Sequence, residues 1–430
     1  MFTIRKIKKR KDYKKFVKFP TELYKNNPNY IPPMEMDEYK MTTKKNAHYN
    51  ECKQAYFLAE QDGKVVGRIA CVILYPFNKK NNSKYARFTR FDVVDNEEIA
   101  HALLATAEQW ARENGMEYIH GPLGYDDLER EGLMVAGFEN FGSYLTSYNA
   151  EYYKTYIESF GYVPDARWVE WRFKFPMKMD DRVARIANIV ENRYGFHERK
   201  FKNINSAIKE IYEDFFDLLD ETFEDLYGTM PFNEELRKQV ISTFKLVLNL
   251  KYICLVFDKH EKLIGFGLTW PSLAKAMKET NGRALPFGFM KWLKAIKHPS
   301  AVELGIISVK KEYQKLGVTG FIIKKLFDRL MEIPGIEYAD TGVQLETNTG
   351  AITSLEMFDR ELIRRKTCYI KSLLPPKEEV KTENVKVSKP KKVKKTEPKT
   401  TKPAGSSTKI EKIVSTKSKS TSQKTTKAKV

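Results

Sequence analysis

Cysteine is scarce in this chain. Its four residues (Cys52, Cys71, Cys254 and Cys368) are scattered through 430 positions, with no Cys-x-x-Cys pair and no histidine at ligand spacing. That pattern excludes a secreted disulfide framework and a structural zinc site, and it fits a reducing cytoplasm. Long apolar runs are missing as well. The N-terminus, MFTIRKIKKRKDYKK, lacks the apolar core of a signal peptide. The most apolar later stretch, LPFGFMKWLKAI, is too short and too broken by lysine to span a bilayer. We therefore expect a soluble, cytoplasmic protein without a membrane span. The six histidines are dispersed, and none stands in a serine or cysteine triad context. Neither G-x-x-x-x-G-K-[ST] nor G-x-G-x-x-G occurs, which excludes the P-loop and the dinucleotide fingerprint.

What is present suffices for substantial cores: 42% hydrophobic and 13% aromatic residues, enough for two or three domains. The net charge of +19 is unevenly spread. From Lys377 to Val430 there are 17 lysines and 5 glutamates, which accounts for +12 and leaves +7 on the first 376 residues. That tail has no aromatic residue and cannot bury enough apolar surface to offset the entropy of ordering, so residues 376–430 are expected to be disordered. A polycationic tail attracts polyanions such as nucleic acid, ribosomes or anionic lipid; a solvated tail with no fixed partner is the plainer alternative.

The ordered part reads as two copies of one plan. AYFLAEQDGKVVGRIACVIL gives two strand-like runs joined by an Asp62-Gly63 turn, and YICLVFDKHEKLIGFGLTW repeats the arrangement with a longer turn at Asp258–Lys262. The second strands begin alike, Lys64-Val65-Val66-Gly67 against Lys262-Leu263-Ile264-Gly265. Helical periodicity opens each half, at Lys11–Tyr24 and at Ile208–Phe223. In each half a strand then feeds an amphipathic helix, ARFTRFDVV into Glu98–Asn114 and ELGIISV into Gly320–Met331. We expect an α/β (α+β) mixed sheet, parallel only locally, from a duplication with halves at 1–176 and 177–375.

The turn between the second strand and helix, Gln314-Lys315-Leu316-Gly317-Val318-Thr319-Gly320, aims free backbone amides and the positive end of a helix at one point. Glycines permit close approach, and Lys310, Lys311, Lys315, Lys324 and Lys325 surround the turn with charge. It reads as a diphosphate cradle, or more plainly as capping geometry.

At these residues the sequence resembles the GNAT superfamily of N-acetyltransferases, whose acyl-CoA loop follows [QR]-x-x-G-x-[GA]. Gln314 and Gly317 fit, while Thr319 departs from the pattern with Gly320 directly behind it. The resemblance implies that backbone amides around Gln314, Lys315, Gly317, Val318, Thr319 and Gly320 bind the pyrophosphate of coenzyme A. It also implies that the pantetheine arm pairs with Ile307–Val309. LETNTGAITSLEMF resembles the family's Asn-x-x-Ala segment, with Asn348 in place. The family's tyrosine seven residues on, the general acid for the leaving thiolate, is Leu355 here. In the first half the same spacing gives Asn149 and Tyr156, and Tyr156 is carried over as the candidate acid. Glu303, eleven residues ahead of Gln314, matches a general-base glutamate of the histone-acetyltransferase branch; a solvent-facing strand residue is the bland alternative.

The first half lacks the loop. Its junction FDVVDNEEIAHAL carries Asp92, Asp95, Glu97 and Glu98, negative charge that would repel a pyrophosphate. The long connection GPLGYDDLEREGLMVAGFENFGSYLTSY is where substrate contacts are expected, although its acids, Tyr125-flanked Asp126, Asp127, Glu129 and Glu131, read as a solvated surface. The resemblance thus implies an N-acyltransferase using acetyl-CoA or another acyl-CoA, without a metal, on a small-molecule or peptide amine. Rival readings are a Fem-type aminoacyl transferase, a longer-chain enzyme similar in plan to tandem-domain myristoyltransferases, and a non-catalytic GNAT-derived binding protein tethered to nucleic acid or ribosomes by its tail.

Overall fold

The strands and helices alternate along the chain in two matching series. The first comprises β1 (Phe2–Lys6), α1 (Arg10–Leu23), α2 (Glu35–Met41), β2 (Cys52–Gln61), β3 (Lys64–Leu74), α3 (Tyr75–Lys80), β4 (Tyr85–Val93), α4 (Glu97–Glu113), β5 (Tyr118–Gly121), β6 (Leu133–Ala136), α5 (Tyr152–Ser159) and β7 (Val163–Lys174). The second begins with an extra helix, α6 (Asp181–Tyr194). It continues through β8 (His197–Glu198), α7 (Ile204–Phe223), α8 (Glu234–Phe244), β9 (Ile253–Phe257), β10 (Leu263–Pro271), α9 (Ala274–Thr280) and α10 (Gly288–Lys297). It closes with β11 (Ala301–Val309), α11 (Val318–Met331), β12 (Tyr338–Thr341), β13 (Gln344–Leu345), α12 (Thr349–Ser354) and β14 (Glu361–Ser372). The structure is a computed structural model that describes residues 1–143, 146–356 and 358–375. The lysine-rich tail expected at 376–430 lies outside the described residues.

Local chemistry explains the elements. Asp62 and Gly63 both take positive φ, 49° and 75°, as a two-residue hairpin turn requires. Asn96 caps α4 by accepting from the Ile99 amide, and Asn203 with Ser206 forms a reciprocal cap on α7. Helix α4 buries Ile99, Leu103, Leu104, Ala107 and Ala111 against one face of the first series, and α11 buries Phe321, Ile322 and Leu326 in the second. Two strand glycines, Gly67 and Gly267, follow from these crossings, while at Gly265, the sequence counterpart of Gly67, a Cβ would lie 3.2 Å from Val309 and Val318. A Cβ on Gly67 would meet Leu103 at 2.6 Å, and one on Gly267 would meet Ile322 at 2.3 Å, so each marks a close approach of helix to sheet.

All strands join one sheet, in the order β1-β2-β3-β4-β5-β14-β7-β12-β11-β10-β9-β8, with β6 and β13 pairing off this path on β14 and β7. Only β4 with β5 and β11 with β12 run parallel among the described strands, as expected of a locally parallel sheet. The order is a near-palindrome about the β14–β7 pair. Each series therefore closes on the other's last strand: β5 pairs with β14, and β12 pairs with β7. This exchange is absent from any local sequence signal, because the partners lie in opposite halves of the chain.

Candidate active site

Strand β11 carries the segment in question. Its parallel pairing with β12 runs from Ala301↔Tyr338 to Leu304↔Thr341 and stops there. On its other side it stays with β10, through a bulge opposite Gly267 to Thr269, as far as Val309. From Gly305 to Val309 one edge of β11 thus has no strand partner among the described residues. An extended ligand can add to such an edge as a further strand would. Ile307 is exposed there, and Val309 turns into the core.

Beyond the strand, Lys311–Leu316 form a 3-10 turn and Gly317, at φ 85°, starts α11. No side chain caps this terminus, so the first-turn amides of α11 at Val318, Thr319 and Gly320 have no capping acceptor, although Val318 and Gly320 are themselves buried. Gln314 turns back and donates from Nε2 to the Val309 carbonyl at 3.1 Å. The glycines themselves have a different cause. A Cβ on Gly317 would lie 2.8 Å from Ile186 Cγ2 and 3.3 Å from Val190, and one on Gly320 would lie 3.1 Å from Ile186. They are small because α6 crosses here. Of the five lysines, Lys311 pairs with Asp225, Lys324 with Asp328 and Lys325 with Glu191; Lys315 remains on the exposed side. An uncapped helix start, an open strand edge and residual positive charge fit the phosphate and pantetheine portions of coenzyme A. Asn348, whose carbonyl accepts from the Ile352 amide, stands at the start of α12, and Leu355 is buried in the core beside Phe358.

Glu303 sits one residue before the point where β11 and β12 part. It is buried rather than solvent-facing. Its carboxylate accepts from Ser272 Oγ at 2.7 Å and from Ser143 Oγ at 3.0 Å. Burial, and then the nearby Asp340 carboxylate, push its pKa up to about 7. From there a row of charges crosses the exchanged strands. Arg172 clasps Asp340 with two bonds of 2.7 Å, Arg364 donates to Glu170 at 2.7 Å, and Lys366 lies 3.3 Å from Glu170. Burial works against the charge of Glu170, but Lys366 and Arg364 hold its carboxyl below the usual range. Burial brings Lys366 down to about 8. These residues meet as neighbours on adjacent strands of the one sheet, Asp340 opposite Arg172 and Arg364 opposite Glu170, partners that come from opposite halves of the chain.

Tyr156 is in another neighbourhood. Its hydroxyl donates to Asp95 at 2.5 Å near the start of α4, which raises its pKa to about 12. Its hydroxyl is bound to Asp95, whereas the Glu303 carboxylate is bound to Ser143 and Ser272. The acidic connection between β5 and α5 is no solvated surface. Tyr125, Asp126 and Glu131 are buried, Asp126 meeting His48 at 2.8 Å.

Two hollows open near the seam between the halves, and Glu303 itself lines neither of them. Helices α7 and α8 leave a narrow crevice of about 70 Å³ over β9–β11, lined by apolar side chains including Ile208, Ile211, Phe215, Leu268, Trp270 and Ile306. Trp270 is the β10 partner of Glu303. A second cavity, of about 210 Å³, is lined by charged side chains from the first half, among them Glu38, Arg68, Arg90 and Asp92. Leu128 and Phe244 belong to both. A charged chamber and an apolar slot therefore share a wall at the seam between the halves.

Comparison with known proteins agrees on the architecture. A tandem GNAT protein from the clavulanic acid biosynthesis pathway superposes with a TM-score of 0.52 at 12% identity, covering 88% of this chain and 100% of that one. This is a tandem GNAT fold. No family model matches the chain. Among curated proteins, Protein YghO of Escherichia coli K12 is 24% identical over 383 residues, covering 86% of this chain and 95% of that protein. The bacterial ceramide synthase of Caulobacter vibrioides is 24% identical over 316 residues, covering 70% of this chain and 79% of that protein. The tandem GNAT fold accounts for the duplicated series and for α11 following β11.

Proposed function

We propose that the protein is an acyl-CoA-dependent N-acyltransferase, built from repeats at 1–176 and 177–375, whose amine acceptor or acyl chain is a long apolar one. The observation that carries this reading is the apolar slot over β9–β11, which shares Leu128 and Phe244 with the second cavity and is walled by Ile306 and by Trp270, the β10 partner of Glu303. An amphiphile has that shape: a polar head and a hydrocarbon body. The slot is walled by apolar side chains throughout, the lining a hydrocarbon chain requires. A relative that carries the name ceramide synthase points the same way, since a ceramide is a fatty amide of a long-chain amine.

In this reading the first-turn amides of α11, with Lys315, hold the diphosphate, and the free edge at Ile307–Val309 aligns the pantetheine arm. Coenzyme A supplies an activated thioester when bound. Glu303 would accept the proton that the amine loses as its nitrogen forms the new amide bond; the thioester C–S bond would break in that exchange, coenzyme A leaving as its thiol with the proton, and a carboxyl poised near neutral pH suits the relay. Tyr156, tied to Asp95, acts outside this step.

Thiol release from acetyl-CoA and palmitoyl-CoA, each with sphinganine as acceptor, tests the proposal. We expect turnover with palmitoyl-CoA and a fall in kcat of about a hundredfold for Glu303→Gln. Ile208→Trp should raise KM for the long chain selectively. No thiol release from either thioester, together with an unchanged melting temperature in excess coenzyme A, would sink the reading.

A further inference from the structure

Between β10 and β11 the second series carries a helical hairpin, α9–α10, that the first series lacks; there α3 alone joins β3 to β4. Its inner side is fixed. Trp292 packs among Ile31, Trp270, Leu273 and Met277, and its indole donates to Thr280 Oγ1 at 3.0 Å. Lys278 donates to the carbonyls of Asn27 and Tyr30, the Glu35 amide donates to the Gly282 carbonyl, and Arg283 pairs with Glu35 at 2.6 Å. A hairpin held this firmly should bury its apolar residues. Instead its outer side is apolar and bare: Leu285 and Phe287 are each 74% exposed, Met290 61%, Phe289 48% and Leu293 42%. Single exposed apolar residues are ordinary, but five within nine positions are not.

Charge surrounds the patch with one sign. From Lys275 to His298 there are six lysines and arginines against the single acid Glu279, which is already engaged by Lys291 at 2.9 Å. Lys294 and Lys297 stand exposed on the same helix as Phe289 and Leu293. Aromatic and aliphatic side chains at a tip, flanked by lysine stems, match the boundary between acyl chains and anionic headgroups. A protein partner would need acids to meet those lysines and a shaped surface for the tip; a bilayer supplies both charge and apolar depth without shape. Among the described residues no helix is long and apolar enough to cross a membrane, so the contact is peripheral.

We propose that the α9–α10 hairpin docks the protein on an anionic lipid surface, with Leu285, Phe287, Phe289, Met290 and Leu293 entering the headgroup–acyl boundary and Lys294 and Lys297 meeting lipid phosphates. The hairpin packs on the same cluster, through Trp270, Phe244 and Leu268, that walls the apolar slot. Docking there brings the slot close to the lipid phase. The proposal stands whether or not the chain transfers acyl groups.

Co-sedimentation of the full chain with vesicles tests it, comparing phosphatidylglycerol:phosphatidylcholine (1:1) with phosphatidylcholine alone. We expect binding to the anionic vesicles and a loss of at least about tenfold for Phe287→Asp with Phe289→Asp, both outside the core. An unchanged unfolding midpoint in that double variant verifies the fold. Lys294→Glu with Lys297→Glu should weaken binding and flatten its salt dependence. In a Phe287→Trp variant, brominated lipids should quench the new indole. Wild-type binding that survives the double aspartate variant would place the attraction on other lysines and overturn the proposal. A protein that ignores both vesicles but forms dimers that the double variant abolishes would assign the tip to a second copy, and would overturn it equally.

Discussion

Replacing Glu303 by glutamine isolates the burial of one carboxyl, and the stability change can be worked out beforehand. Glutamine has nearly the same shape, and its amide can still meet Ser272 and Ser143, so packing is conserved while titration is removed. In the unfolded chain the carboxyl gives up its proton near pH 4.5; in the folded protein it holds the proton to about 7. Between those values the native state binds more protons than the unfolded state, so wild-type stability falls as pH rises through the window. Below 4.5 both states are protonated and the contribution is at its most favourable; above 7 both are ionised and the loss is complete. The separation corresponds to about 3 kcal/mol. Glu303→Gln lacks this dependence. Urea unfolding of both proteins at pH 4.5, 5.5, 6.5 and 7.5 should show the variant gaining on wild type by about that amount, since all other titrating groups cancel in the difference. A difference that stays constant across the window would mean that the carboxyl keeps an ordinary pKa, and both the burial argument and the proposed proton acceptor would fall.

Three further outcomes follow from packing and charge. Gly317→Ala should cost about 2–4 kcal/mol, part from the left-handed backbone and part from collision with Ile186; in an Ile186→Ala background about 1 kcal/mol should remain, and equal costs in both backgrounds would remove α6 as the reason for the glycine. Arg364→Met should destabilise by about 3–5 kcal/mol in denaturant titration, because it strands Glu170 beside Lys366 alone and frees the Phe141 carbonyl. Arg364→Lys, which cannot reach both groups, should recover only part of that. Asn203→Ala, removing the reciprocal cap of α7, should cost about 1 kcal/mol by the same assay.

Much of the scaffold was readable because its signals are local. The Asp62-Gly63 turn, the helix periodicities of α4 and α11, and the paired glycines at the second strands all act within a few residues, and the two series follow from their recurrence. The helix starts differ slightly: α7 begins at Ile204, where the Asn203–Ser206 cap sets the boundary, and α11 at Val318, directly after the left-handed Gly317. The site was less readable. Acids at 126–131 look like surface until their partners, His48 among them, arrive from the first strands and helices. Glu303 looks exposed on an alternating strand until Ser143 and Ser272 cover it. The glycines of the loop suggested a ligand where the neighbour is Ile186, a residue more than a hundred positions upstream. The Leu285–Leu293 stretch is too short to cross a bilayer, and its apolar composition looks like core until folding leaves it exposed on the outer side of the hairpin.

The exchanged closing strands also bear on how this protein must be made. While the ribosome is still working, Tyr118–Gly121 has no neighbour on its outer side, because its partner Glu361–Ser372 is the last of the described strands to emerge. A fragment cut after the first repeat would leave that border unsatisfied, together with both flanks of Val163–Lys174. Such a piece would be prone to borrow the missing strand from another molecule. Completion of the whole chain, rather than of either repeat, is the moment at which the sheet can close.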